Sequence, residues 1–330
     1  CLDDRNFPVG KLVLLASARS AGKTMEFRGQ TVVIEELTEN SFEGVDVALF
    51  SAGSGISKKY ASIAVKAGAV VVDNSSAFRM DADVPLVVPE VNGVTLNNHA
   101  GVIANPNCVC AIAVMALAPL HRAQPVRRVT ASTYQAASGA GAAAMEELRQ
   151  STAAYLADQP FEPKVLPHPY AFNLFSHNTK IDPSTGYNEE EIKMVKETKK
   201  IFGDADIRIS ATCVRVPVLR AHTIAMTVEF DRPMTPASVR DILAAAPGVR
   251  LVDDRAGNHF PMPREATGQG DVLAGNRHAA RVVMETPGLA QYVVIDPRCP
   301  ESYRQADEML QQPKCAGIKI HPEEHRYPIN

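Results

Sequence analysis

The first third of the chain is a succession of short strand-like runs: Lys11–Ser17, Thr31–Leu37, Val45–Ala52, Ala69–Ser75, Leu86–Glu90 and Val102–Asn105. Several are apolar on consecutive rather than alternate residues. Such strands must be covered on both faces, and a parallel sheet flanked by helices does this. Between two of the runs, Ser57–Gly68 has helical spacing of its apolar residues, a serine at its start and a glycine at its end. The alternation predicts an α/β fold with a Rossmann-like parallel sheet.

Beyond residue 108 the texture changes. Helices are expected over Gly141–Asp158, Asn188–Phe202 and Thr235–Pro247, and strands over Arg127–Gln135, Ile207–Val218, Thr223–Phe230 and Gln291–Asp296. These strands alternate more. The link Leu219–His222 is short enough to predict antiparallel pairing of the strands it joins. A second, α+β domain is therefore expected, and 330 residues accommodate two domains at about 150 residues each. The boundaries are drawn at 1–108 and 109–297. Lys180–Asn188 reads as a surface loop from its turn residues.

Composition narrows the function. A net charge of −3 from well-mixed acids and bases gives no reason to expect nucleic acid or a membrane as partner. No apolar run reaches the ~18 residues of a membrane span. The six cysteines follow no disulfide framework, which suggests reduced thiols in an intracellular setting.

One of those thiols is conspicuously placed. Val102–Asn105 reads as a strand, Pro106 and Asn107 turn the chain, and an apolar helix begins at Cys108. A thiol in a first helical turn meets unpaired N–H groups and the positive end of the dipole, and both favour thiolate. Cysteine is also among the most buried residue types, so the local reading leaves nucleophile and packing residue both open. Cys110 is expected to pack. Cys-x-Cys lacks the usual metal spacing and a nearby histidine, so no metal is expected.

Other residues are suggestive only together. His222 becomes an acid or base if the fold brings it to Cys108. Arg215, among apolar strand residues, needs an anion, either a substrate carboxylate or an internal acid. Glu197 and Lys200 share a helix face, which alone reads as a solvated i,i+3 pair. Ser17, Arg19, Ser20 and Lys23 follow a strand and suit a 2′-phosphate. Phe50–Gly55, with Gly53, and Ala137–Gly141, with Ser138 and Gly139, are small-residue turns that admit a cofactor to the backbone. There is no G-x-G-x-x-G in this sequence.

The segments "LLASARSAGK", "VDVALFSAG", "VVDNSSAFRM", "PLVVPEVN", "ANPNC", "STYQAASGAGAAAMEEL", "NEEEIKMVKETKKI" and "CVRVPVLRAH" occur in this order. Together they resemble the aspartate-semialdehyde dehydrogenase family, in wording closest to its plant and bacterial forms. The resemblance implies NADPH-dependent reduction of L-4-aspartyl phosphate to L-aspartate 4-semialdehyde with release of phosphate, on the route to lysine, threonine, methionine and isoleucine. It implies Cys108 as the nucleophile that forms a thioester, His222 as acid/base, and Gln135 as the glutamine that orients substrate. It implies Arg215 for the substrate carboxylate, Glu197 for its amino group, and Arg79, Asn107 and Lys200 for phosphate. For NADP it implies Arg19 and Ser20, with Ser17, at the 2′-phosphate, and Gly53, Ser138 and Gly139 beside the cofactor. It also implies a homodimer or tetramer formed through the second domain, and a cytoplasmic or plastid-stroma setting.

Three departures from the family stand out. The opening "CLDDRNFPVGKL" resembles the end of the helix that follows the family's glycine-rich turn, so the chain is expected to start inside its first domain and to be weakly active or inactive alone. Val109 and Cys110 stand where the family usually has a hydroxyl residue. The segment after "YVVID" departs from the family's closing helix, which would return residues 298–330 to the first domain. The enzymatic rival is an N-acetyl-glutamyl-phosphate reductase, disfavoured by Glu197; a non-catalytic homologue is the other.

Overall fold

The computed structural model describes Leu2, residues 7–267, 291–295, 304–305, 308–309 and 315–320. The chain divides into two compact units, residues 1–37 with 265–330, and residues 38–264. In the first unit, β1 (Leu14–Ala16), β2 (Thr24–Phe27) and β3 (Gln30–Glu36) form a sheet in the order β1-β3-β2. β1 lies parallel to β3, as the sequence pattern requires, and β2 adds an antiparallel edge that the pattern did not reveal.

The second unit opens with three parallel strands, β4 (Val47–Phe50), β5 (Val70–Asp73) and β6 (Val102–Ala104). Between β4 and β5 runs α1 (Ser54–Lys66). It starts three residues earlier than its serine suggests. Gly53, at φ 90°, occupies the N-cap, while Ser57 sits inside the helix and donates from its hydroxyl to the buried Asp73 at 2.7 Å. Gly68, at φ 98°, ends the helix as expected. The expected strand Leu86–Glu90 is reduced to a single bridge between Leu86 and Ala104. Pro89 cannot donate to a ladder, and it opens α2 (Pro89–Asn92) instead.

The rest of this unit is a sheet carrying helices. In chain order come α3 (Cys108–Ala123), β7 (Val126–Gln135), α4 (Ala142–Leu156), β8 (Phe175–Ser176), α5 (Glu189–Phe202), β9 (Arg208–Arg215), β10 (Thr223–Phe230) and α6 (Pro236–Ala245). The strand order is β10-β7-β9-β8. This corrects one expectation: β9 and β10 run in opposite directions but do not pair, because β7 lies between them. The connection crosses the end of β7 and is pinned there. Val216 N–H donates to the Gln135 carbonyl, and Ala137 and Ser138 N–H donate to the carbonyls of Val218 and Leu219.

α3 and α5 hold the core. Val109, Ala113 and Leu117 of α3 and Met194 of α5 pack on Val126, Val129, Ala131 and Ala211 of the sheet. A neighbouring face of α3, with Cys110 and Val114, packs with Leu86, Val88, Ala104 and Ile201. α3 is thus apolar on two adjacent faces.

β11 (Gln291–Ile295) and β12 (Cys315–Ile320) pair in parallel. Arg304–Gln305 and Glu308–Met309 are helical. Asp296, Pro297 and most of the closing segment lie outside the described residues.

Candidate active site

Cys108 is the first residue of α3 and is exposed. Asn107 is its N-cap: the side-chain oxygen accepts from Val109 N–H at 3.1 Å and Cys110 N–H at 3.3 Å. This overturns the expectation of a thiol primed by a bare helix end, because the cap takes up two of the N–H groups. Although the side chain reaches solvent, the protein packed around its inner side pushes the thiol pKa up, and the Glu190 carboxylate pushes it further. Val109 N–H and the Arg215 guanidinium pull it down without prevailing. Cys110 packs as expected, fully buried beside Thr198, with its thiol pushed up to about 12 by burial.

Around Cys108 the fold gathers charges from several elements. Gln135 ends β7 and Arg215 ends β9, and the two are paired in register. Both are buried. Gln135 accepts from the Thr133 hydroxyl at 3.0 Å and donates from Nε2 to Glu190 at 3.2 Å. Tyr170, its phenol pushed up to about 12 by burial, reaches the Gln135 carbonyl at 3.4 Å.

Glu190, in the first turn of α5, was not singled out from the sequence. Its Oε1 also accepts from Asn107 Nδ2 at 2.8 Å, and its Oε2 lies 3.5 Å from Lys193 Nζ. Burial pushes this carboxyl up, but its partners, Asn107, Lys193 and Gln135 among them, pull it down, and its pKa lies below the usual range. Glu190 is therefore an ionised carboxylate close enough to Cys108 to act on its thiol.

Glu197 and Lys200 are correspondingly corrected. Glu197 is 1% exposed. Its Oε1 accepts from Arg79 Nη1 at 3.1 Å and its Oε2 from Asn107 N–H at 2.6 Å. Burial pushes its pKa up against the pull of Arg79. It anchors the start of α3 from within. Lys200 donates to three carbonyls, Arg79, Asp81 and Val84, at 2.7–2.9 Å. With all three ammonium donors in use it ties down a loop and has none left for phosphate. Arg79 uses three N–H groups, on Asn105 O, Asn74 O and Glu197, and retains two of its five for a ligand.

His222 lies just before β10. Its Nδ1 accepts from Ala136 N–H at 3.0 Å, and a backbone amide can only donate. The ring is therefore neutral with its proton on Nε2. Burial and the Arg215 charge both lower its pKa, against Glu190. Gly139 adjoins both side chains: a Cβ there would fall 2.9 Å from His222 Cε1 and Nε2 and 3.4 Å from Arg215 Nη1. Among the described residues Arg215 has no carboxylate partner. Its contacts are the Ala136 carbonyl at 3.3 Å and Asn178 Oδ1 at 3.4 Å.

The residues proposed for a dinucleotide fall in two places. Ser17, Arg19 and Ser20 follow β1 in the first unit, where Ser20 N–H turns back onto the Ser17 carbonyl and the Arg19 side chain is exposed. Basic and hydroxyl groups at the carboxyl end of a parallel strand fit a ribose phosphate. Gly53, Ser138 and Gly139 belong to the second unit, in the N-cap of α1 and in the turn at residues 137–140.

Known proteins are similar to this chain in sequence and in fold. Residues 117–296 match the family described as semialdehyde dehydrogenase, dimerisation domain, and residues 1–99 match semialdehyde dehydrogenase, NAD binding domain. The aspartate-semialdehyde dehydrogenase of Synechocystis is 53% identical over 83% of this chain and 81% of that protein. The enzyme of that name from Bacillus subtilis is 45% identical over 83% and 81%. A crystal structure of aspartate semialdehyde dehydrogenase II from Vibrio cholerae, complexed with ASA, is 42% identical with a TM-score of 0.77, covering 82% of this chain and 80% of that one.

Proposed function

The chain belongs to the aspartate-semialdehyde dehydrogenase family, and on that premise we propose that it reduces L-4-aspartyl phosphate to L-aspartate 4-semialdehyde through a thioester on Cys108. The observation that carries this reading is the buried Arg215 guanidinium, without a carboxylate partner among the described residues, in the same site as the ionised Glu190 and Cys108. A buried cation without a counter-ion is costly, and a substrate carboxylate supplies one in bidentate geometry. The substrate's ammonium goes to Glu190, in place of Glu197. Its phosphate goes to Lys193, in place of Lys200, and to the remaining donors of Arg79 and Asn107.

The chemistry follows from these groups. Cys108 attacks C4 as thiolate, and the carbonyl oxygen takes the charge. The Nε2–H of His222 meets that oxyanion as a hydrogen-bond donor, a role a neutral ring can fill without proton transfer. Phosphate leaves and gains a proton from water. NADPH, when bound, supplies the hydride that reduces the thioester. The resulting alkoxide on Cys108, again facing the His222 donor, expels the thiolate and leaves the aldehyde. The balance is acyl phosphate, NADPH and one proton to aldehyde, NADP and phosphate. Ser17, Arg19 and Ser20 would hold the 2′-phosphate of the cofactor.

In this reading residues 1–108 form the cofactor domain and residues 109–297 the catalytic and dimerisation domain of a homodimer, a division supported by the family matches at 1–99 and 117–296. The product serves lysine, threonine, methionine and isoleucine synthesis. The free thiols of Cys108, Cys110 and Cys213 suit a reducing interior, cytoplasm or plastid stroma. The test is NADPH formation from L-aspartate 4-semialdehyde, NADP and phosphate. Wild type turns over, Cys108→Ala does not, and Arg215→Lys loses most of its kcat/KM because a point charge cannot replace a fork. Wild-type rates from Cys108→Ala would overturn the reading.

A further inference from the structure

His177 is a buried histidine to which the proposed chemistry gives no work. It follows β8, and its N–H donates to the Cys213 carbonyl at 2.8 Å, which seats it against β9. Its ring lies between two residues that also touch one another. Nδ1 is 3.3 Å from Thr179 Oγ1, Nε2 is 3.9 Å from Glu190 Oε1, and Glu190 N–H donates to Thr179 Oγ1 at 3.3 Å.

We propose that His177, oriented by Thr179, is a positioning residue that aims the Glu190 carboxylate at the substrate's ammonium group. This rests on the reading of Glu190 as the ammonium site.

The tautomer follows from the charges. A carboxylate facing Nε2 favours a proton there over a lone pair. Nδ1 then accepts, and the hydroxyl proton of Thr179 is free to donate because its oxygen already accepts from Glu190 N–H. The three residues form a closed circuit: Glu190 N–H to Thr179, Thr179 O–H to His177, His177 N–H toward Glu190. At 3.9 Å the last link is longer than a hydrogen bond, so the ring contributes an oriented dipole across a gap. Lys193, Arg215 and His222 all disfavour a positive ring, and Glu190 alone favours it. Burial outweighs that favour and holds the ring neutral, its pKa lowered to about 4. A neutral donor orients Glu190 without cancelling the charge the substrate needs.

The experiment compares L-aspartate 4-semialdehyde with succinate semialdehyde, which lacks the amino group, as substrate or as competitive inhibitor. In His177→Ala the KM for the amino-bearing compound is expected to rise about tenfold, with little change in kcat and none in the constant for the amino-free compound. His177→Gln, which keeps an N–H at similar reach, should recover most of the loss. Thr179→Val should show the same selective loss in smaller measure, and it carries the test should His177→Ala not fold. Equal losses with both compounds, or no loss, would overturn the proposal. A wild-type protein inactive on L-aspartate 4-semialdehyde would instead sink the activity on which it rests.

Discussion

Glu190 acts on Cys108 in two opposed ways. It binds the ammonium of the substrate, and its charge raises the thiol pKa. Removing that charge makes the thiol more acidic, so at a fixed pH near 8 more of Cys108 is thiolate. Glu190→Gln is therefore expected to speed alkylation of Cys108 by iodoacetamide and shift its pH midpoint downward, while turnover falls. Slower alkylation would make Glu190 a base. Gly139 offers a second test: Gly139→Ala forces His222 or Arg215 aside. It is expected to cost about a hundredfold in kcat, with thermal unfolding almost unchanged; near-normal turnover would show that neither side chain depends on its present seat. The misplacement of Glu197 and Lys200 belongs at this scale as well. Glu190 with Lys193 and Glu197 with Lys200 have the same i,i+3 spacing and lie two turns apart on one helix face, about 10 Å along the axis. Periodicity gives both pairs the same direction and no depth. Only the seating of α5, capped at Asn188, decides which carboxylate faces the thiol and which lies beneath it.

At the scale of elements, the site is held by ends rather than by whole strands or helices. The cap at Asn107 fixes the start of α3 and reaches Glu190 in the same residue. Asn107→Ala is expected to lower stability by about 1 kcal/mol, read from urea midpoints, and to weaken substrate binding besides. Intact binding with lost stability would confine Asn107 to the helix. Glu147, inside α4, clips a distant loop: its carboxylate accepts from the N–H groups of Lys164, Val165 and Leu166 at 2.6–2.9 Å. Burial pushes this carboxyl up, but the three donors outweigh it and its pKa is lowered. The stability it contributes is present above its unfolded pKa and is lost as pH falls through the lower folded value. Protection factors for hydrogen exchange at Lys164–Leu166, taken against the intrinsic rate at each pH, should therefore fall in strong acid, and at neutral pH in Glu147→Gln. Unchanged exchange in that variant would remove the clip. Strands and helices were legible where local pattern suffices, as in β5, α5 and β10. The intercalation of β7 between β9 and β10 was not, because a short link can step over one strand as easily as it can turn between two.

At the scale of the molecule, the parallel sheets and the helix-bearing second domain were readable from continuous apolar runs and alternation, because burial on two faces or one leaves that mark. Convergence of Cys108, Gln135, Arg215 and His222 was not readable from any one segment. It depends on strands β7 and β9 ending in register, a long-range fact that ordered family motifs carry and local physics does not. Exposed apolar side chains, including Tyr155 packed at a tilt against Phe172 with ring centroids 4.7 Å apart, lie within the region matching a dimerisation domain. Light scattering should give twice the monomer mass, and Phe172→Asp should shift it toward the monomer; a variant still fully dimeric would put the interface elsewhere. The central claim, a thioester on Cys108, is tested most directly by mixing the protein with L-4-aspartyl phosphate without NADPH and reading intact and peptide masses. The account predicts one aspartyl group on Cys108 with one phosphate released, and none in Cys108→Ala. An adduct on Cys110, or phosphate release from Cys108→Ala at the wild-type rate, would contradict it.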